Sequence, residues 1–517
     1  MAAEHSVNAL LLLVLNLALS KDPLYELSEW VASLDLRSLD LPCDVSMRFT
    51  DDRFGRALDQ LYEADRASLQ TRVALSALRN FGIRFDQIHN DSTSIKACGH
   101  IPGRTKTGVE LRRGYSKDHR PDLKQLLFTL SLSADGAAPI HYHVYPGNRN
   151  DSTTHIDTWN DLRDLHGSAQ FLYVADCKLC TQDQLAHIVA QGGQALTIVP
   201  GNLTPVREFI QRLRAGPLGK KLVWRRPKPN EESVTEYFSL FTGRYELFPG
   251  RYPLYWFLSS EKRHRDQAAR QEHLRQAEKA LAQLAPKLNT PRLSRQAPIQ
   301  KAVQAILDKY QVEPFINVRL ATRYNRVRLR PRGRPPGEKA RYRIRQKAHY
   351  HLEWQQNPQA LKAERRVDGL FPLLCTNPAL EPVEVLKAWK YQPRLEKRFE
   401  QLKHVHGVAP LLFKKVQRVE ANLFIFFVAL MAQALLERQL RQALSQQKRE
   451  PLKLYPEDRD APHPTTSQVL KTFAGLSTYR IEDPQGDFQE FRDVLKPVHR
   501  SVLELLALSE LRFWTGT

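Results

Sequence analysis

The apolar positions of this 517-residue chain change rhythm several times. Over residues 1–80 they recur at helical spacing. Leu11, Val14, Leu15 and Ala18 share one face, and Tyr25, Leu27, Trp30 and Val31 predict a second helix, together a small helical bundle. From 81 to 205 the pattern turns strand-like and then alternates. A strand ends at Asp91, and residues 126–132 and 140–145 flank the turn Ala134-Asp135-Gly136 as a hairpin. Residues 153–165 are helical through Ile156, Trp159 and Leu162, and 171–176 form a strand that ends in Asp176. Thr181-Gln182-Asp183-Gln184 reads as a capping box that opens a helix, and 195–200 is a short buried strand. Three strands, helix, strand, helix, strand is the order of a mixed α/β layer.

Residues 206–370 interrupt that order. The segment 261–285 predicts a long charged helix with Leu274, Ala277, Leu281 and Leu284 on one stripe, ended by Pro286 and paired in an intramolecular helical hairpin. Residues 323–347 hold eleven Arg or Lys against the single acid Glu338. Arg326, Arg328 and Arg330 alternate along one half and Arg341, Arg343 and Arg345 along the other, which predicts a cationic β-ribbon able to follow phosphates. Residues 371–445 resume the core: a strand at 370–375, a helix over 383–403 kinked or restarted at Pro393, and a second helix over 418–444. A proline-rich loop opens the tail at 446–517, which ends in an amphipathic helix over 498–511.

Charge narrows the class of partner. With 77 Lys and Arg against 56 Asp and Glu, the net charge of +21 favours a polyanion, either nucleic acid or an anionic membrane surface. No stretch reads as a membrane span: residues 9–15 follow Glu4 and lack a basic flank, and 423–432 are too short and read as a buried core helix. Five scattered cysteines point to a reducing cytoplasm. Cys177-Lys178-Leu179-Cys180 lacks the second ligand pair a zinc site needs, and His141-Tyr142-His143 reads as structural. No Gly-rich nucleotide loop is evident.

Three acids carry the chemistry. Asp91 and Asp176 close strands, and Glu396 lies on the predicted second-half helix with Lys403 seven residues on, two turns along the same face. Converging carboxylates repel one another unless divalent cations lie between them, and hard oxygen ligands suit Mg²⁺. On a chain this basic, such a site points to phosphodiester chemistry.

The segments around these acids resemble the DDE transposases of bacterial insertion sequences, in the branch with a Tyr-Arg-Glu-Lys signature. The resemblance rests on Ile88-His89-Asn90-Asp91-Ser92-Thr93-Ser94, on Gly114-Tyr115-Ser116-Lys117-Asp118-His119-Arg120-Pro121-Asp122-Leu123-Lys124-Gln125 and on Gly147-Asn148-Arg149-Asn150-Asp151. It continues through Val174-Ala175-Asp176 and residues 395–403, and so covers about 80–445. The positions of the signature's Tyr and Arg are held by Trp389 and Gln392, with Tyr391 and Arg394 two residues later.

The resemblance implies a ribonuclease-H-like core, 81–205 with 371–445, split by the 206–370 insertion and preceded by a helical, DNA-end-binding region. It implies two Mg²⁺ or Mn²⁺ ions held by Asp91, Asp176 and Glu396. It further implies DNA contacts by Lys117, Arg120, Tyr391, Arg394, Lys403 and the ribbon arginines. The expected substrate is DNA, both transposon terminal inverted repeats and target, bound by a homodimer in a bacterial, nucleoid-associated setting. A nuclease of the same fold without strand transfer, and an inactive DNA-binding relic, share these residues.

Overall fold

The computed structural model describes the chain except residues 1, 40, 42–48, 98–100, 116, 118–119, 121, 229–230, 249, 330–342, 409–412, 456, 458, 483–487 and 516–517. It divides into two compact units: Met1–Thr197 with Cys375–Thr517, and Ile198–Leu374.

The first unit opens with helices α1 (Ala2–Leu19), α2 (Leu27–Ala32), α3 (Asp51–Glu63) and α4 (Arg66–Asn80). Strands β1 (Gln87–Lys96), β2 (Gln125–Ser133) and β3 (Pro139–Pro146) follow, then α5 (His155–His166), β4 (Leu172–Ala175), α6 (Gln182–Ala190) and β5 (Gln194–Ile198). The sheet order is β3-β2-β1-β4-β5. The pairs β3–β2 and β2–β1 are antiparallel, whereas β1–β4 and β4–β5 are parallel. This is the mixed α/β layer expected from the strand order. Every residue of β2 is buried, as a strand covered on both faces requires.

In the second unit come α7 (Thr204–Ala215), then strands β6 (Lys220–Lys228), β7 (Glu231–Phe241), β8 (Glu246–Leu247) and β9 (Tyr252–Ser259). Next are α8 (Ser260–Leu284), α9 (Gln296–Tyr310), β10 (Ile316–Leu329), β11 (Arg343–Gln356), α10 (Pro358–Val367) and β12 (Leu370–Cys375). The pairs β12–β9, β9–β7 and β7–β6 are all antiparallel, and Phe209 of α7 stacks on Trp256 with ring centroids 3.9 Å apart. Leu274, Ala277 and Leu281 of α8 bury against Leu307 of α9, giving the expected helical hairpin, with Val318, Leu352 and Trp354 of the ribbon packed on it.

The chain returns to the first unit with α11 (Pro382–Trp389), α12 (Pro393–Glu400), a π-helical turn Gln401–Val405 and α13 (Val416–Gln446). By length and composition α13 could cross a membrane, but 78% of its apolar stretch is buried in the core. A helix apolar on all sides fits that position. Phe427 meets Tyr142 of β3 at 4.9 Å, and α1 and α3 join the same core.

Some elements depart from the sequence pattern. The side of α1 that is buried carries Ala9, Leu12, Leu13 and Asn16, while Leu11 is exposed and Val14, Leu15 and Ala18 are half-buried. In a helix nearly all apolar, spacing does not select one face. Strands β6–β9 were not anticipated within 206–370. The tail helix expected over 498–511 is two helices, Pro497–Leu505 and Glu510–Thr515, interrupted where Ala507 takes φ 55°.

Candidate active site

Parallel pairing sets the level of the acids. Asn90 of β1 pairs with Ala175 of β4, so the next residues, Asp91 and Asp176, stand side by side. Asp176 caps a short 3-10 turn, its Oδ1 accepting from the Lys178 N–H at 2.9 Å, and the Thr197 hydroxyl donates to its carbonyl at 2.7 Å. Asp91 Oδ1 accepts from the Ser92 N–H at 2.7 Å.

Two glycines bring further groups to this point. A Cβ on Gly114 would collide with the Gly147 carbonyl, and one on Gly147 with the carbonyls of Gln125 and Arg112. Only glycines permit that backbone contact, and Gln125 Nε2 seals it by donating to the carbonyls of Tyr115 and Gly147 at 2.9 and 3.0 Å. Two stretches distant in sequence are thereby joined, and Lys117 from one meets Asp151 from the other. The Lys117 Nζ lies 3.1 Å from Asp151 Oδ2 and 3.4 Å from Asp91 Oδ1, and donates to Ser92 O and Oγ at 2.6 and 2.8 Å.

His155, the first residue of α5, completes the cluster. Its Nδ1 is 3.1 Å from the Tyr173 hydroxyl, and its Nε2 lies 3.8 Å from Asp176 Oδ1. That nitrogen is buried and has no hydrogen-bond partner among the described residues.

Burial pushes the Asp91 carboxyl up to about 6, with Asp176 adding to the rise and Lys117 opposing it. Burial drives His155 down to about 4 against the pull of Asp176 and Asp151, so the ring is neutral at physiological pH. Burial also works against the Lys117 ammonium, but Asp91 and Asp151 outweigh it and raise its pKa.

Glu396 is exposed on α12, but its helix is anchored beside β1. Gln87 Nε2 reaches the Ala388 carbonyl at 3.5 Å, His89 Nδ1 donates to Gln392 Oε1 at 2.7 Å, and Gln392 Nε2 reaches the Asn90 carbonyl at 3.5 Å. From Ala388 to Gln392 the chain thus advances along β1 toward Asp91, and Glu396 follows Gln392 by one turn on the same stripe. Gln392, where the signature has Arg, pins the helix to the strand.

Among the described residues no three His, Cys, Asp or Glu side chains gather closely enough to hold one ion. The donor chemistry around Asp91 and Asp176 nonetheless fits a hard cation. It consists of carboxylates, a hydroxyl, a carbonyl and one unpartnered imidazole nitrogen, with a lysine ammonium standing among the oxygens.

Lys403, seven residues after Glu396, lies where the helix changes pitch. The helix is π-helical from Gln401 to Val405, with the His406 N–H donating to the Gln401 carbonyl at 2.9 Å. A π turn is wider than the uniform α-helix on which the expected spacing of Lys403 and Glu396 rests. Tyr391 is half-buried with its ring 5.1 Å from that of His89, Arg394 is exposed, and Arg120 pairs with Asp122 at 2.7 Å.

The basic ribbon is antiparallel with Arg326 opposite Gln346, Val327 opposite Arg345 and Leu329 opposite Arg343. Directly paired residues share a face, so Arg326 occupies one face while Arg345 and Lys347 occupy the other, and the side chains of Arg328 and Arg343 lie outside the described ones. Arg330 and Arg341 lie outside the described residues. Val318, Leu352 and Trp354, on the Arg326 face, pack against the helical hairpin, which leaves the opposite face, with Arg319, Arg323, Arg345 and Lys347, outermost.

Neither Asp151 nor His155 stands out in the sequence as a site residue. Asp151 closes the motif Gly147-Asn148-Arg149-Asn150-Asp151, and His155 carries no signal of its own. No family model matches the chain, and no curated protein matches it. Among solved structures, a piggyBac transposase synaptic complex with hairpin DNA is similar at 13% identity and a TM-score of 0.26. The match covers 50% of this chain and 52% of that one, and a likeness of this size carries no functional weight.

Proposed function

We propose that this chain is a DNA transposase that cuts at the ends of a mobile element and joins the exposed 3′-hydroxyl to target DNA. The observation that carries the reading is the meeting of four motif residues at one point: Asp91 beside Asp176, with Lys117 and Asp151 held against them. Asp91 and Asp176 would hold divalent cations, with Glu396 as the third acid supplied from α12. When bound, such ions activate the attacking oxygen and stabilise the leaving one.

The chain's own residues bind and orient. Neutral His155 accepts or donates at Nε2 beside Asp176, and the ribbon cations hold phosphates. In cutting, water attacks the phosphorus and a 3′-hydroxyl leaves. In joining, that hydroxyl attacks a target phosphodiester and displaces another 3′-oxygen, so no bond to protein is needed.

The test is incubation of the full chain with Mg²⁺, a labelled fragment carrying an element end and a supercoiled plasmid. Labelled end joined to plasmid is the expected product. Cut fragment without joining would mean a nuclease. The exposed position of Glu396 favours a second reading, an inactive DNA-binding relic, for which DNA would be bound and neither product would form.

The outer ribbon face is expected to neutralise DNA phosphates. Substituting Arg323, Arg345 and Lys347 with alanine should flatten the slope of log Kd against log salt by about 0.9 for each phosphate no longer neutralised. Substituting Arg326 should change it less. Equal slopes for all variants in a filter-binding or anisotropy titration would mean a merely solvated ribbon.

A further inference from the structure

We propose that Lys117 is a tethered cation that occupies the acid site in the resting protein, and that a divalent ion must displace its ammonium in order to bind. The inference rests on the reading of Asp91 and Asp176 as cation ligands and adds a regulation of that site. Among the described residues, four oxygens of three kinds stand around Nζ, the Ser92 carbonyl and hydroxyl at 2.6 and 2.8 Å and the carboxylates of Asp151 and Asp91 at 3.1 and 3.4 Å. Hard oxygens of this kind are the donors that Mg²⁺ and Mn²⁺ take, whereas an ammonium satisfies them as a compact point charge.

A dication on Asp91 Oδ1 would stand within a few ångströms of Nζ, and like charges so close in a partly dry site repel strongly. Both cannot occupy the position. A second, independent feature points to a ligand. His155 Nε2, on a side chain only 4% exposed, faces Asp176 without a hydrogen-bond partner among the described residues. The lysine leaves this nitrogen unused.

The arrangement has two consequences. Without metal, Lys117 neutralises part of the acid cluster and so supports the fold. With metal, its flexible four-carbon stem carries the ammonium away, where it can meet a phosphate oxygen.

The test is Mn²⁺ binding to the full chain without DNA, followed by electron paramagnetic resonance of unbound Mn²⁺. Lys117→Met is expected to bind Mn²⁺ about tenfold or more tightly than the unaltered protein, the size of a removed close like charge. Lys117→Arg should remain weak, and Asp91→Asn should remove the binding in either background. If Lys117→Met binds no more tightly while Asp91→Asn still abolishes binding, the tethered-cation proposal falls and the acid site stands. If Asp91→Asn has no effect in any background, both fall. Thermal melts give a second reading: Mn²⁺ should raise the Tm of Lys117→Met by more than that of the unaltered protein, and equal increments would overturn the proposal. Should Lys117→Met not fold, Lys117→Gln, which retains a donor for the Ser92 carbonyl, serves in both measurements.

Discussion

Asparagine in place of Asp91 is expected to abolish DNA cutting and joining, by about 10³-fold or more, which corresponds to roughly 4 kcal/mol of lost transition-state stabilisation. The substitution keeps the size of the side chain and an oxygen for the Ser92 N–H, so the strand and its pairing with β2 and β4 have no reason to change. What it removes is the negative charge that a hard cation needs at the level of Asp176. DNA affinity should be nearly unaltered, because phosphate binding is expected from the ribbon cations. Asp176→Asn should behave alike. Glu396→Gln is the informative companion, since Glu396 is exposed on a helix whose buried residues Leu395, Arg398 and Phe399 hold it in place independently of the acid. An equally deep loss would place α12 among the groups that act on DNA. The assignment is overturned if Asp91→Asn cuts and joins at a rate within tenfold of the unaltered protein.

Half of this site was legible in the sequence because strand pattern and chemistry coincide there. Asp176 directly follows β4, as a carboxylate that closes a hydrophobic strand should, but the strand expected to end at Asp91 runs on to Lys96, so Asp91 stands midway along β1 opposite Leu130 and the parallel register is what brings it level with Asp176. The remainder depends on contacts that no local pattern encodes. Lys117 was expected on DNA, yet the packing of Gly114 on Gly147 turns it into the acid cluster. Spacing alone put Lys403 on the stripe of Glu396, but it could not foresee a π turn, which arises where the segment meets α13. There Arg398 donates to Gln401 Oε1 at 2.7 Å, and Gln401 and His406 both reach Gln433.

The fold shows the same division. Strands β1–β3 follow one another and β4 and β5 alternate with helices over short intervals, so their order followed from periodicity. Strands β6–β9 did not, because Lys220, Lys221, Arg225, Arg226 and Lys228 break the apolar rhythm of β6. Tyr252-Pro253-Leu254-Tyr255-Trp256-Phe257-Leu258 was a readable signal, being aromatic and apolar over a strand's length. The ribbon pairing was readable, but which arginines share a face depended on the register of the two strands.

The turn Ala134-Asp135-Gly136 reads from sequence as a plain hairpin connection, yet it anchors α13, and replacing Arg438 with methionine is expected to be the most damaging single change to stability. Arg438 Nε and Nη2 donate to the two oxygens of Asp135 at 2.9 and 2.6 Å, while Nη1 and Nη2 reach the carbonyls of Phe81 and Gly82 at 2.8 and 3.1 Å. The pair is nearly dry, with side-chain exposures of 8% and 11%. Removing one partner of a buried pair strands the other charge and costs about 3–5 kcal/mol, a large share of an ordinary folding free energy. Asp135→Asn added to Arg438→Met should recover much of the loss, because no unpaired charge then remains. The effect should also depend on pH. Burial pushes the Asp135 carboxyl up, but the Arg438 guanidinium and the Arg84 N–H outweigh it and hold it below its ordinary 3.8. Its contribution is therefore complete above pH 3.8 and is lost as pH falls through the depressed value. In Arg438→Met the stranded carboxyl is pushed up instead and is relieved by protonation. The stability gap between the two proteins in urea titrations should accordingly narrow from about pH 7 to about pH 3. A gap below about 1 kcal/mol at neutral pH, the range of a surface ion pair, would mean that this turn does not anchor the helix.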